Sequence, residues 1–523
     1  MGGTRAGFPA DEQRARRNFM MRVPFSNLPS MSALFLDYVR EPARLKKFYP
    51  QDYSVAAIAA FARERRPLDR AHRERLCAGL AGDKRSIEKL AAGAVAVITG
   101  QQATLFAGPN YTILKAATAI KLARALDAAG VPAVPIFWVA AEDHDYQEIQ
   151  SATVLDRDSG LTHIRVNLSN VESSPVDWLA FQNDISEAIS KCLSSLPASE
   201  FQPQLREVLE CSYSPGVSPV DAFSRMLNKL FEGAGLIIAN PLNPELRQLA
   251  RPTLLEALRR NAQIRSAVRA RSRALSDAGY HEQVKVDDGF TGLFAYKGKS
   301  RQPLRPDELS EDLELSANVL VRPAMQDSIF PTAAYVGGPA EVAYFAQAGA
   351  VYETLDRRVP PVFPRISATI LESRVARALK KYEIDFLDVF RGRDFLRRKA
   401  VASVQGVEVF DKVRDAINSE LDTLGPELKA VDATLMGALD TSRQKILHQV
   451  EGLRTKFVNA EARRNDTLER HLDAIANSVF PEKKLQERVI NITSFLVRYG
   501  FGFTQRLEEA LSLDSREHQV IEI

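Results

Sequence analysis

The sequence predicts an α/β protein built on a largely parallel sheet, with a long helical segment toward its carboxyl end. Short apolar, strand-like runs alternate with helical stretches, and this alternation favours parallel strands joined by helical crossovers. Further along the chain, apolar residues repeat with heptad spacing, which is typical of a coiled coil. The strand-like runs cover residues 94–98, 132–140, 236–239, 333–336 and 362–363.

Composition and charge limit the classes of function. The chain has 523 residues, of which 45% are hydrophobic, so it can bury a large core in several domains or in one core with insertions. The formal net charge is only +3, which gives no overall attraction to nucleic acid. We find no readable secretory signal or membrane span and expect no membrane partner.

Three cysteines, Cys77, Cys192 and Cys211, stand far apart and form no Cys-x-x-Cys pair. Their spacing argues against a disulfide framework and against a zinc site built from cysteines. A reduced, cytoplasmic protein fits this usage of cysteine.

The order of elements predicts a core with additions. Residues 1–92 read as a helical segment that packs on the core. The core itself is expected at 93–150 and 220–404. Insertions at about 151–219 and 280–305 interrupt the alternation of strands and helices, because each contains short β-like runs around turn-forming residues.

The segment 405–478 carries the heptad stripe, and residues 479–523 are expected to dock back on the core. Gly425-Pro426 and residues 440–443 are weak points of the stripe, so one of them, or the segment between, should turn the chain into an antiparallel helical hairpin. Such helices pack on each other or on a second subunit. The stripe consists of Ile417, Leu421, Leu424, Leu428, Val431 and Leu435, and then of Ile446, Val450, Leu453, Phe457 and Ala460.

The polar turn after the first core strand is the first candidate site. Thr112 is expected to cap the following helix and Lys115 to lie in its first turn. A helix amino terminus with a nearby lysine favours phosphate or carboxylate. The spacing is not that of a P-loop, and a capped helix packed on the sheet is the alternative. The candidate binding residues here are Thr99, Gln101, Gln102, Gly108, Tyr111 and Thr112.

The second candidate site follows the next strand, which contains Trp138, and consists of Glu142, Asp143, His144 and Asp145. Three carboxylates beside a histidine shift each other's pKa values, and they can hold an ammonium group, bind a divalent ion or act as a general base. We favour an amine over a metal, because no partner histidine stands at metal-ligand spacing. Acids that cap a helix are the alternative.

Two later strand ends complete the set of candidates. A Gly-Gly-Pro turn opens a helix, and Arg322 has the geometry to bind a carboxylate with two parallel hydrogen bonds. Past the last strand, Arg365 and Ser367 are candidates for an anion site, with a helix cap by Ser367 as the alternative. The residues proposed for binding are Arg322, Asp327, Tyr335, Gly337, Gly338, Glu341, Arg365 and Ser367.

Several motifs resemble the BshC family, the cysteine-adding enzymes of bacillithiol synthesis. They are Thr99-Gly-Gln-Gln102, Gly108-Pro-Asn-Tyr-Thr112, the run from Phe137 to Asp145, Tyr335-Val-Gly-Gly-Pro339 and Leu485-Gln-Glu-Arg488. The resemblance spans almost the whole chain. It implies a Rossmann-like parallel core with inserted connecting-peptide subdomains, similar to class I aminoacyl-tRNA synthetases, and a coiled coil used to form a homodimer.

For function, the resemblance implies a ligase that joins cysteine to the amine of glucosaminyl-malate in the last step of bacillithiol synthesis. An activated carboxylate made with ATP is the simplest route, with ATP or ADP as the nucleotide and no metal. Lys115 and the cluster Glu142 to Asp145 become the catalytic candidates, the acids holding an ammonium group and His144 moving a proton. Two alternatives stay open: a related nucleotidyltransferase-like ligase for another amino acid and amine, and a non-catalytic scaffold that works through its heptad segment.

Overall fold

The computed structural model describes residues 20–143, 145–168, 173–402, 408–464 and 466–523. Backbone contacts divide them into two compact units. The first contains the residues up to Arg157, Leu161–Thr369 and Glu487–Ile521. The second contains Asp158–Gly160, Ile370–Gln486 and Glu522–Ile523, and thus includes the predicted helical segment 405–478.

Apolar runs form the strands because β-branched and aromatic residues pack well on a pleated surface. The strand Ala133–Val139 is buried at every residue, as expected for a strand that is covered on both faces. The strands are β1 (Met20–Val23), β2 (Leu80–Gly82), β3 (Val95–Gln101), β4 (Ala133–Val139), β5 (Ser151–Leu155), β6 (Leu161–Arg165), β7 (Ile237–Ala239), β8 (Leu293–Lys297), β9 (Ser300–Pro303), β10 (Leu315–Ala317), β11 (Thr332–Gly337), β12 (Val362–Pro364), β13 (Ala368–Leu371) and β14 (His518–Glu522).

Within the described residues, six strands form the central sheet of the first unit in the order β12-β11-β3-β4-β7-β2. All neighbours are parallel except β2, which is antiparallel to β7 at the edge. The chain moves from β3 outward to β4 and β7, and then returns to β11 and β12 on the other side of β3. The strand order therefore reverses between β3 and β11, as in a doubly wound Rossmann-like sheet.

The helices of both units come from alanine-rich and amphipathic segments. The helices are α1 (Ala33–Arg40), α2 (Val55–Arg63), α3 (Arg70–Ala78), α4 (Lys84–Ala91), α5 (Asn110–Ala128), α6 (Tyr146–Ile149), α7 (Asp184–Ser195), α8 (Gln202–Ser212), α9 (Pro219–Leu230), α10 (Pro244–Arg259), α11 (Asn261–Asp277), α12 (Arg322–Ile329), α13 (Pro339–Thr354), α14 (Ser373–Lys381), α15 (Arg393–Ala402), α16 (Glu408–Val431), α17 (Leu435–Arg464), α18 (Asp466–Val479), α19 (Thr493–Tyr499) and α20 (Phe503–Ala510).

Smaller sheets decorate the core. Strands β5 and β6 pair as a hairpin, as the turn residues between them predict. Strands β8 and β9 form a second hairpin, which β10 extends on the side of β8. The predicted β-like run just before it, at 284–289, contains no strand. Strand β1 pairs with β14, so the first described segment and the end of the chain close one small sheet.

In the second unit, α16 and α17 form the predicted antiparallel hairpin. The turn falls at 432–434, between the two weak points, while Gly425-Pro426 stays inside α16. The two helices contact through the rings of Phe410 and Phe457, whose centroids are 5.4 Å apart. Part of the apolar stripe nevertheless remains exposed, at Leu424, Val431, Ile446 and Leu453, and Val409 and Val413 on the same helix as Leu424 are exposed as well.

Candidate functional site

The predicted site residues lie mainly at one edge of the central sheet, where the carboxyl ends of its parallel strands meet. Gln102 follows β3 and Asp143 follows β4. The amide Nε2 of Gln102 donates a hydrogen bond to Oδ2 of Asp143 over 2.6 Å. The polar turn after β3 and the acidic segment after β4 therefore share one edge, which we call the sheet rim.

Lys115 is the buried cation of the rim, with 3% of its side chain exposed. Its Nζ donates to the carbonyl of Gly100 and to Oε1 of Gln101, each over 2.7 Å, and it forms an ion pair with Glu341. Burial lowers the pKa of Lys115, while the carboxylate of Glu341 opposes that shift. Because α5 begins at Asn110, Lys115 lies in the second helical turn, and the prediction of the first turn was wrong.

A cavity of about 250 Å³ opens at the point where the strand order reverses, and we call it the switch-point pocket. In its wall, Nε2 of Gln101 donates to the hydroxyl of Tyr111 over 2.9 Å and to Oε1 of Glu148 over 2.8 Å. The Tyr111 hydroxyl donates to the same oxygen of Glu148 over 2.9 Å. Burial raises the pKa of Glu148. Lys115 and Arg488 also line the pocket, which therefore holds cations and carboxylates side by side.

The amino terminus of α13 forms another wall. The N–H of Gly338 donates to Oε2 of Glu341 over 2.5 Å. A Cβ on Gly338 would stand 3.0 Å from that oxygen and 3.2 Å from Nε of Arg365, and a Cβ on Gly337 would stand 2.9 Å from Cβ of Glu341. A Cβ at Gly337 would therefore force Glu341 to shift, and a Cβ at Gly338 would press against the side chains of Glu341 and Arg365. The carboxylate of Glu341 occupies the place where a helix amino terminus favours an anion.

The turn before α5 is a strained structural element. Three successive residues, Phe106, Ala107 and Gly108, have positive φ angles of 53°, 64° and 75°. The amide of Asn491 donates to the carbonyls of Leu105, Phe106 and Gly108, which holds the turn in this shape. A Cβ on Gly108 would collide with Oγ1 of Thr104 at 2.0 Å. Gly108 therefore shapes the turn itself.

Thr112 does not cap α5, contrary to the prediction. Pro109 occupies the cap position, and Thr112 lies inside the first turn with its side chain fully buried. The helix instead begins where the N–H of Asn110 bonds to the carbonyl of Ile490 over 3.0 Å. Pro109 has no N–H to leave unpaired and its fixed φ suits the start of a helix, so the chain enters α5 directly after the turn.

The acidic residues that follow β4 form hydrogen bonds with different partners. Oε1 of Glu142 accepts a hydrogen bond from the hydroxyl of Tyr296 over 2.7 Å. Asp143 bonds to Gln102 and lies 3.9 Å from a guanidinium nitrogen of Arg301. Asp145 caps α6, as the helix-cap alternative anticipated, and His144 lies outside the described residues.

Three predicted binding residues belong to the packed interior. Oγ1 of Thr99 donates to the carbonyl of Val336 on the neighbouring strand over 3.0 Å. Trp138 is 2% exposed within β4. Asp327 forms an ion pair with Arg65 over 2.9 Å. These contacts give each residue a structural role, because a buried polar group must be paired.

Arg322 and Tyr335 are buried together near the rim. A terminal nitrogen of Arg322 donates to the hydroxyl of Tyr344 over 3.0 Å, and the hydroxyl oxygens of Tyr335 and Tyr344 are 3.4 Å apart. Burial opposes the charge of Arg322, but the neighbouring Tyr344, Tyr335 and Asp143 raise its pKa overall. The bidentate carboxylate contact expected of Arg322 is not made by any described carboxylate.

Arg365 and Ser367 bind a buried carboxylate of the protein itself, and Arg365 also lines the switch-point pocket. Ser367 caps no helix, because strand β13 follows it. Arg365 pairs with Glu487 through two contacts of 2.6 and 3.0 Å, and both side chains are at most 3% exposed. The hydroxyl of Ser367 and the N–H of Ala368 donate to the same carboxylate over 3.0 and 2.9 Å. Burial opposes the charge of Glu487, yet Arg365 holds the pKa of Glu487 below its usual value.

His518 completes this group of buried, hydrogen-bonded residues. Its Nδ1 lies 2.8 Å from the hydroxyl of Ser367, and its Nε2 lies 2.9 Å from the hydroxyl of Thr369. Burial lowers the pKa of His518 to about 4, so the ring is neutral near pH 7. The motif Leu485–Arg488 was noticed only through the resemblance, and its acid proves to be the partner of Arg365.

Sequence reasoning also gave no role to Glu148, Tyr296 and Arg488, although Arg488 ends the motif Leu485–Arg488. Each lies outside the strand-end motifs in the sequence, and only the fold brings it to the rim. For Glu148 a signal existed, since it stands three residues after Asp145 at a helix start. In the described part of the chain, no three His, Cys, Asp or Glu side chains are grouped to hold a metal ion. No helix there is long and apolar enough to cross a bilayer.

Comparison with known protein families shows to which family this chain belongs. Two family models match: "Bacillithiol biosynthesis BshC, N-terminal Rossmann-like domain" at residues 21–312 and 308–366, and "Bacillithiol biosynthesis BshC, C-terminal coiled-coil domain" at residues 368–523. The chain belongs to the BshC family. The predicted resemblance and fold class are thereby confirmed, and the second family match begins close to the start of the second compact unit.

Relatives cover nearly the whole chain, each under the name "Putative cysteine ligase BshC". The protein of Koribacter versatilis is 35% identical, over 96% of this chain and 99% of its own length. That of Salinibacter ruber is 35% identical, over 98% of this chain and all of its own length. That of Solibacter usitatus is 33% identical, over 95% and 98%.

Proposed function

We propose that this protein is a carbon–nitrogen ligase that joins the carboxyl group of cysteine to the amine of glucosaminyl-malate, the last step of bacillithiol synthesis. Membership of the BshC family and the names of its relatives support the choice of reaction. The observation that carries the proposal is the switch-point pocket, because open parallel sheets bind their ligands at this place.

The pocket suits a zwitterionic amino acid. Arg488 supplies positive charge for a carboxylate, and Glu148 supplies negative charge for an ammonium group. A free amino acid carries both charges a few bonds apart. With a volume of about 250 Å³, the pocket is of a size for a small metabolite rather than for a macromolecular segment.

A carboxylate does not react with an ammonium ion, so the reaction needs activation of the acid and deprotonation of the amine. ATP, when bound, would supply a leaving group for the cysteine carboxyl. Lys115 and the N–H groups at the start of α13 are the residues that would hold its phosphates. The carboxylate of Glu341 now bonds to both, which supports an anion at this position.

Glu148 is our candidate to receive the proton from the amine once that amine has reached the activated carboxyl group in the switch-point pocket. Its pKa is raised by burial, which brings a carboxylate closer to the basicity that a general base needs near neutral pH. Gln101 and Tyr111 hold the carboxylate in place through Oε1. Asp143, tied to Gln102 at the same rim, is our candidate to hold an ammonium group.

The decisive assay mixes the purified chain with cysteine, glucosaminyl-malate and ATP, and follows bacillithiol by mass spectrometry. We expect product only when all three are present. No product with any nucleoside triphosphate, while a second BshC protein works on the same reagents, would contradict the proposal. Preferential use of another amino acid in a competition mixture would instead favour the alternative nucleotidyltransferase-like ligase.

Tyr111→Phe tests the pocket itself. The variant removes the hydroxyl that orients Glu148, and we expect kcat/KM to fall by about tenfold or more, as for the loss of one charge-assisted hydrogen bond. Tyr280→Phe is the matched control. The hydroxyl of Tyr280 also donates a hydrogen bond to a carboxylate, that of Asp37, with a length of 2.7 Å, but this pair does not lie at the rim. Equal activity of the two variants would count against the switch-point pocket.

A further inference from the structure

A second cavity, of about 440 Å³, opens at the carboxyl ends of β4 and β7. Glu142 enters it from the end of β4, and Arg247 and Arg251 enter from α10. Trp178, at the end of the short helix Val176–Trp178, forms another wall. We call this cavity the Trp178 pocket. None of these side chains lines the switch-point pocket.

The aromatic wall is unusual for its exposure. Trp178 is 44% exposed, although a tryptophan gains more than most residues from burial. Its ring centroid lies 5.3 Å from that of Tyr296, and the guanidinium of Arg247 lies 4.7 Å from the Tyr296 ring. The Tyr296 ring thus already has a cation beside it, while the exposed indole of Trp178 lines the pocket and can offer a π-surface to a ligand.

The carboxylate of Glu142 is largely desolvated, with 12% of its side chain exposed. It accepts the hydroxyl of Tyr296, but the guanidinium of Arg247 stands 4.0 Å away, beyond hydrogen-bond distance. Arg247 makes its close contact of 2.7 Å with Glu314 instead. A carboxylate has about four acceptor sites, so Glu142 can accept an ammonium group that also lies over the indole.

Positive charge lines the opposite wall. Arg251 donates to the carbonyl of Glu311 over 3.1 Å, and its guanidinium carries five N–H donors in total. Arg247 lies one helical turn earlier on the same face of α10. A carboxylate, an aromatic ring and two guanidinium groups line this pocket together with Glu314, and this set of groups suits a small molecule that bears both an amine and carboxylates.

We propose that the Trp178 pocket binds the amine substrate, a primary amine on a sugar-sized scaffold that also carries carboxylates. Its ammonium group lies between Glu142 and the face of Trp178, and its carboxylates face Arg247 and Arg251. The inference rests on the proposed function for the role of this amine as acceptor. Glu142 is the chain neighbour of Asp143, which is tied to Gln102, so the pocket adjoins the rim where the acid would be activated.

Tryptophan fluorescence reads this pocket directly, because the chain has two tryptophans and only one is accessible. Trp138 is 2% exposed and Trp178 is 44% exposed, so acrylamide quenching reports on Trp178. We expect glucosaminyl-malate, titrated into the full-length protein, to reduce quenching in a saturable manner. Cysteine alone and ATP alone should leave quenching unchanged, and Trp178→Phe should lose the response.

Charge variants test the orientation of the ligand. Glu142→Gln and Arg251→Gln should each raise the Kd for glucosaminyl-malate, measured by calorimetry, by about tenfold or more. Arg259→Gln is the matched control, because Arg259 lies on the same helix, pairs with Glu311 and is absent from the pocket wall. Circular dichroism and thermal unfolding confirm that each variant is folded.

The results of these experiments distinguish a failure of the binding assignment from a failure of the proposed ligase reaction. Calorimetric binding of the amine without protection of Trp178 overturns the assignment, and so does wild-type affinity in both charge variants or the absence of any binding. Protection by cysteine in place of the amine overturns the identity of the occupant. Protection of Trp178 by the amine in a protein that forms no product supports the pocket and contradicts the ligase reaction.

Discussion

At the scale of single residues, pairing of buried charges decides which predicted site residues remain available to a ligand. Arg365 was expected to bind an anion, and the protein's own Glu487 is that anion. Lys115 stays at the wall of a pocket but is likewise held by Glu341. A charge removed from water must find an opposite charge, and sequence alone does not show which one the fold supplies.

Glu487→Gln should destabilise the first unit strongly, because Arg365 would stay buried without a countercharge. Breaking one side of such a pair costs about 3–5 kcal/mol. Urea unfolding followed by tryptophan fluorescence measures this, since both tryptophans belong to the first unit. Glu509→Gln, at an exposed acid, should change the free energy of unfolding by less than about 0.5 kcal/mol. Similar values for both variants would contradict the structural role of the pair.

His518 should make the first unit sensitive to acid. Its pKa is about 4 in the folded protein, against an ordinary histidine value of 6.5, so the unfolded chain binds a proton that the folded protein excludes. The free energy of unfolding therefore falls as the pH is lowered from about 6.5 to about 4, by about 3 kcal/mol in total. His518→Gln should flatten the curve of stability against pH in this window. An unchanged slope would show that other groups cause the acid sensitivity.

At the scale of elements, the periodicity of apolar residues identified most strands and helices, whereas the residues at which these elements end depended on tertiary contacts. The turn of the long hairpin falls at 432–434, and neither Gly425-Pro426 nor residues 440–443 interrupt their helices. The turn before α5 contains Phe106 and Ala107 at positive φ, which neither residue favours. Asn491, which is far away in sequence, holds that turn by hydrogen bonds. Such a contact cannot be predicted from the local sequence pattern.

Gly452→Ala should stabilise α17. The residue lies in the interior of this helix, and a Cβ there would meet nothing within 4 Å. Alanine is favoured over glycine inside a helix by about 1 kcal/mol. Hydrogen exchange of the α17 amides should slow in the variant, whereas Gly130→Ala, at a φ of +76°, should not stabilise its helix end. Faster exchange in Gly452→Ala would show that another surface covers this face in solution.

At the scale of the whole molecule, the exposed stripe of the hairpin is the feature that one chain does not explain. Val431 is 81% exposed and Leu453 is 60% exposed, in helices whose heptad spacing predicts a coiled-coil contact. Scattered apolar residues at a surface need no explanation, but a repeated stripe along a helix indicates a partner. A homodimer through α16 and α17 remains our proposal.

Val431→Lys combined with Leu453→Lys should convert a dimer into a monomer. Two lysines on the stripe would place unpaired charges in the interface, which is costly. Size-exclusion chromatography with light scattering should give the mass of two chains for the wild type and of one chain for the variant. Leu387→Lys, at an exposed leucine outside the hairpin, should remain dimeric. A monomeric wild type would contradict the proposal.

The sequence by itself determined the fold class, five of the six strands described in the central sheet, the helical hairpin and the family, but it treated the edge strand β2 as part of a helical segment. Those features depend on local periodicity and on contiguous motifs such as Thr99–Gln102 and Tyr335–Pro339. Only the tertiary structure decided which polar side chains face a cavity. Trp138 and Asp327 were predicted to bind a ligand and lie buried in the interior, whereas Glu148 and Trp178 were not predicted and line pockets. The direction of a side chain depends on partners that lie far away in sequence, and only the folded chain brings them together.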